Sequence, residues 1–117
     1  MIVVAVIGIV TAIAIPLYGS MTTQARVAKA RGDLRTIASA ISMYQAHVGA
    51  LPPSLGQLTS VVSNAQGVSA GPFIASVPNP PPGGAPVWTA YEAGYATTVE
   101  GRFSVSASGD GVSVTVP

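Results

Sequence analysis

The sequence predicts an α+β protein in which a long N-terminal helix protrudes from a small head and its second half packs on an antiparallel sheet. Three observations carry this. The first 25 residues contain no charge. Apolar residues then recur at alternating spacings of three and four as far as Val48. Near the C-terminus, valines alternate with serines and threonines.

The opening element is apolar from Met1 to Tyr18 except for Gly8, Thr11 and Pro16, and the first charge is Arg26. At 1.5 Å per residue, about 20 such residues cross a hydrocarbon layer of ~30 Å, so residues 1–25 read as a transmembrane or filament-core segment. A secretory signal is the alternative, and Ala12-Ile13-Ala14 resembles a cleavage site, yet no basic region precedes the apolar run. Arg26, Lys29, Arg31 and Arg35 all follow the segment, which conflicts with the positive-inside rule unless basic residues lie upstream. Gly8 and Pro16 lie inside this helix, where both lower propensity relative to alanine, and Pro16 cannot donate to the carbonyl of Ala12. The helix is therefore expected to kink or melt between them.

Past Pro16, the residues Val27, Ala30, Leu34, Ile37, Ile41, Tyr44 and Val48 make one stripe on an amphipathic helix over 26–48. Gly49 suits the left-handed position after a helix, and Pro52-Pro53 prevents continuation. A helix from Met1 to Val48 would be ~72 Å long, far more than this domain can cover. Half of it must find partners elsewhere.

Residues 49–86 hold too many prolines and glycines for long regular elements; Leu55 to Val62 suits a helical turn or two, and 78–86 a stiff loop. Residues 87–117 read as strands, from the runs "VWTAY", "GYATTVE" and "GRFSVSASGDGVSVTVP". Phe103, Val105 and Ala107 share one face, as do Val112, Val114 and Val116, and Ser108-Gly109-Asp110-Gly111 supplies the turn. The result is a meander with one buried face, laid on the helix stripe. The domain boundaries are thus 1–25 for the apolar segment and 26–117 for the head.

Composition narrows the function classes. Apolar residues make up 49% of the chain and charged residues 8%, against roughly a quarter charged in ordinary soluble proteins. Such a surface suits packing against neighbours. A net charge of +1 gives no field for nucleic acid, and the absence of cysteine removes disulfides and thiolate metal sites. No nucleophile–base pair, carboxylate pair or phosphate loop is visible, so the expectation is a structural protein and not an enzyme. His47 reads as a last-turn histidine favoured by the helix dipole, Trp88, Tyr91 and Tyr95 as packing residues, and Asn64 and Asn79 fall in no glycosylation sequon.

The stretch "MIVVAVIGIVTAIAIPLYGSMTTQARVAKARGDLRTIASAISMYQAHVGALPPSLGQL" resembles the N-terminal region of type IV pilins and of the pseudopilins of type II secretion. The resemblance rests on Gly8, Ala14-Ile15-Pro16, Tyr18, Ala25-Arg26, Asp33-Leu34, Ala40, Tyr44, Gly49 and Pro52, and covers roughly residues 1–58. It implies the pilin fold and a homopolymer of many copies. It also implies processing by a prepilin peptidase, and assembly from the inner membrane by a platform and an ATPase.

On that resemblance the filament-core helix comprises Val3, Val4, Val6, Ile7, Ile9, Val10, Ile13, Ile15 and Leu17, with the break at Gly8 and Pro16. Arg26, Lys29, Arg31 and Arg35 are read as partners for acids of a neighbouring subunit. The family's N-terminal glutamate would fall two positions before Met1, and its basic leader further upstream, so the sequence is expected either to start at an internal methionine or to lack residues before Met1.

The first reading of function is a major pilin of a type IV pilus, an extracellular filament for adhesion, motility or DNA uptake. The alternative is the major pseudopilin of a type II secretion system. Residues 71–88 and "FSVSASGDG" resemble the part of the major pseudopilin in which a proline loop and an Asp-rich turn bind calcium. Calcium needs about six to eight oxygen ligands. Asp110 is the one acid in its turn, and Glu92 and Glu100 are distant in sequence, so no cofactor is expected.

Overall fold

The computed structural model describes residues 1–116, the side chains of residues 14 and 16–18 excepted. Helix α1 runs unbroken from Ile2 to Val48. The turn expected to melt between Gly8 and Pro16 is helical. A single missing N–H removes one hydrogen bond, and the long run of i→i−4 bonds on either side keeps the remaining ladder in register. The helix ends as its sequence dictates: Gly49 sits at φ 84°, and its N–H donates to the carbonyl of Gln45 at 2.8 Å.

After α1 the chain forms a 3₁₀ turn at Leu55–Thr59 and a two-residue hairpin, β1 (Val62–Ser63) with β2 (Ser69–Ala70). The hairpin was not legible in the sequence, because two residues per strand leave no alternation to read. A second 3₁₀ turn, Tyr91–Gly94, leads into β3 (Tyr95–Thr97), β4 (Phe103–Gly109) and β5 (Val112–Val116). These three strands form the expected antiparallel meander in the order β3-β4-β5.

The strand region expected over 87–117 is shorter than its sequence suggests: "VWTAY" is not a strand, and within that region regular pairing among the described residues is confined to β3, β4 and β5. Thr89 meets β4 at one residue, its N–H donating to the Ser108 carbonyl at 3.0 Å and its Oγ1 accepting from the Ser108 N–H at 3.2 Å, before Tyr91 turns into the 3₁₀ segment. Pro86 just before it has no N–H with which to extend a ladder. Position 117, the end of the expected strand region, lies outside the described residues.

The turn between β4 and β5 is tighter than the four residues read from sequence. Gly109 pairs with Val112, which leaves a two-residue loop of Asp110 (φ 51°) and Gly111 (φ 73°). Positive φ at both central residues is the type I′ requirement, which Asp-Gly meets and which matches the strand twist.

The core lies between α1 and the sheet. Ala30, Leu34, Ile37, Ile41 and Tyr44 of the stripe are buried against Leu55, Leu58, Trp88, Tyr91, Val105, Ala107 and Val114. Val27 and Val48, the ends of the stripe, are half-covered. Ring edges meet at Tyr44 and Phe73, 5.6 Å between centroids.

Candidate functional site

Two features could act on something outside the chain or control how the chain presents itself: the bare half of α1 and the cluster of polar contacts at the base of the head.

Val3, Val4, Val6, Ile7, Ile9, Val10, Ile13 and Ile15 are between 53% and 70% exposed. Consecutive helical residues point about 100° apart, so these positions occupy the whole circumference and not one stripe. A helix apolar all round requires a cover all round, and among the described residues no part of the head supplies it. The one hydroxyl among these side chains, Thr11 Oγ1, donates to the carbonyl of Ile7 at 2.7 Å, so its hydrogen is spent within the helix. Leu17, read as part of this surface, lies outside the described side chains. Among the described residues no helix is long and apolar enough to cross a membrane; positions 14 and 16–18, inside the apolar run, are not among them.

At the base of the head the first charged residue of the chain meets the hairpin turn. Arg26 Nε donates to Asp110 Oδ2 at 2.7 Å, and Arg26 Nη2 donates to Oδ1 at 3.1 Å. Trp88 Nε1 donates to Oδ2 at 2.9 Å and the Ala85 N–H to Oδ1 at 3.2 Å. Four donors thus surround one carboxylate, whose side chain keeps 8% of its exposure. The Arg26 hydrogen bonds, then those from Trp88 and Ala85, outweigh desolvation and hold the carboxyl down to about 2. Gly84 makes the approach possible: at φ 95°, a Cβ there would lie 2.8 Å from Asp110 Oδ1.

One turn further along α1, Lys29 Nζ donates to Asp33 Oδ2 at 2.6 Å and to the carbonyl of Asn79 at 2.7 Å. Tyr91 Oη donates to the same Asp33 oxygen at 2.7 Å. Burial, then this bond to an anion, push the Tyr91 phenol well above its ordinary range. Glu92 accepts from the N–H of Leu55 at 2.9 Å and so secures the first 3₁₀ turn.

The cations read as inter-subunit partners therefore divide. Arg26 and Lys29 are paired within the chain. Arg31 and Arg35 are exposed and, among the described residues, form no ion pair. Spacing could not reveal the first pairing, since 84 residues separate Arg26 from Asp110. The only signals were a lone acid in an Asp-Gly turn and a lone arginine at the end of an uncharged run. His47 faces the carbonyl of Val68, 2.9 Å from Nε2, and Tyr95 Oη donates to Pro52 O at 2.7 Å.

Among the described residues no three His, Cys, Asp or Glu side chains come together in a way that could hold a metal ion. An open groove of about 480 Å³ lies between the end of α1 and the β3–β4 turn. Its lining holds one titratable group, Tyr95, whose hydroxyl is committed to Pro52.

Comparison with known proteins places this architecture. The chain is 36% identical over 67 residues to the type II secretion system core protein G of Pseudomonas aeruginosa, an alignment covering 57% of this chain and 47% of that protein. The match thus spans about half the length of that relative. No solved structure matches significantly. The similarity favours the secretion pseudopilin over the type IV pilin that the sequence suggested first. A family model for type II secretion system protein G matches residues 18–111, most of the chain, and the protein belongs to that family.

Proposed function

We propose that this chain is the repeating structural subunit of a type II secretion pseudopilus, with a polymerising role and no enzymatic one. The observation that carries the reading is the apolar arm, which is bare on every side and joined to a head of the protein G family. Burying a valine or isoleucine side chain is worth about 1.5–3 kcal/mol. Eight of them, with 53–70% of their surface still to cover, amount to something on the order of 7–15 kcal/mol per subunit before the cost of association.

That gain is measured against water. Lipid tails are as apolar as the arm, so before assembly the arm is stable in the inner membrane, and moving it into a bundle of copies yields little by itself. Extraction then has to be driven, which fits an assembly ATPase and platform as partners and a prepilin peptidase as the processing enzyme. The growing bundle drives folded proteins out of the cell.

The test is Val4→Arg or Ile7→Arg in the organism's own secretion system. The head should keep its melting temperature, since neither residue touches the core, while pseudopilus assembly and protein export are lost. Normal assembly by either variant would overturn the buried-arm reading. Deletion of the gene should stop export and leave surface fibres intact; the reverse result would return the type IV pilus.

A further inference from the structure

Three separate segments converge on the Asp110 carboxylate: the helix through Arg26, the proline loop through Ala85 and Trp88, and the hairpin turn that carries Asp110 itself. The same loop and turn resemble the region that binds calcium in the family's major pseudopilin. The residues present do not fit that ion. Calcium takes about six to eight oxygen ligands, several of them from carboxylates. Here both oxygens of the single carboxylate already accept two hydrogen bonds each. Of the other three acids, Asp33 is committed to Lys29 and Tyr91 and Glu92 to Leu55, and among the described residues no three acids or histidines, Glu100 included, come together as a metal-binding group. A guanidinium at 2.7 Å also repels any second cation from the site.

We propose that the Arg26 guanidinium takes the place of the cation in this subunit, so that closure of the proline loop over the hairpin turn is built into the chain and does not depend on calcium. The planar fork of Arg26 matches the two carboxylate oxygens, as a bidentate pair requires. The substitution has a consequence that a dissolved ion would not have. The closing charge is carried by α1 at the first residue after the uncharged arm, so the clasp fastens the loop and turn to the helix as well as to each other. The inference rests on family membership and on these contacts, and holds for a pilus or a pseudopilus subunit.

The experiment uses the full chain in detergent. Melting temperature is followed by circular dichroism in excess calcium chloride and in excess chelator, with calorimetric titration of calcium alongside. The melting temperature should be the same in both solutions, with no binding heat. Arg26→Gln should lower the melting temperature, and Arg26→Lys should recover part of the loss, because an ammonium supplies charge without the fork. Asp110→Asn should cost less in the Arg26→Gln background than in the native chain. A calcium-dependent rise in the native melting temperature, or an Arg26→Gln protein as stable as the native one, would overturn the proposal. If Arg26→Gln does not fold, the calcium comparison on the native chain and the Arg26→Lys variant still decide it.

Discussion

Asp110 performs two tasks, one through its backbone and one through its side chain. As the first residue of a type I′ turn it must hold a positive φ, which asparagine, aspartate and glycine tolerate best. As the acceptor for Arg26, Trp88 and Ala85 it must also be ionised. Its pKa, held at about 2, is below the unfolded value of 3.8. The unfolded chain therefore binds the proton more readily, and the stability this carboxylate contributes is complete above about pH 4 and lost as pH falls toward 2. Acid titration of the near-ultraviolet circular dichroism should show this loss, and Asp110→Asn should remove that part of the slope while leaving a less stable protein at neutral pH.

The inward face of β4 is graded by size. Phe103, Val105, Ala107 and Gly109 follow one another on it, and the indole of Trp88 occupies the space that a side chain at 109 would need. A Cβ on Gly109 would stand 2.5 Å from the Trp88 ring. The ring cannot yield freely, because its Nε1 is bonded to Asp110. Gly109→Ala should therefore destabilise the head by about 1–3 kcal/mol, the usual cost of overpacking. Chemical denaturation should show a lower midpoint with an unchanged slope. The alternation of β4 and β5 was legible because one sheet face is dry and the other wet. The termination of that alternation at glycine was not, because the residue that fills the gap lies 21 positions earlier in an irregular loop.

The whole molecule is two objects sharing a helix. Its extents are 78 × 25 × 16 Å, and its radius of gyration of 20.2 Å compares with about 13 Å for a compact chain of this length. The head has its own core between α1 and the sheet, whereas the arm has only surface. Residues 26–117 alone should be monomeric and folded in water, and the full chain should self-associate unless detergent covers the arm. Sedimentation velocity on the two proteins checks this, and a full chain that stays monomeric without detergent would contradict it.

The sequence by itself determined the long helix, its apolar stripe, its stop at Gly49, the paired strands and an arm that the head cannot cover. Those features are local: hydrophobic period, charge-free length and turn residues act within a few positions of one another. Only the tertiary structure decided what the basic residues do. Arg26 and Lys29 were legible as cations at the base of the head, but their partners depend on where the chain returns after the proline loop. That return is set by packing of Trp88 and Tyr91 into the helix–sheet core, which no spacing along the chain records. It paired Arg26 and Lys29 within the chain and left Arg31 and Arg35 exposed and, among the described residues, without an ion pair.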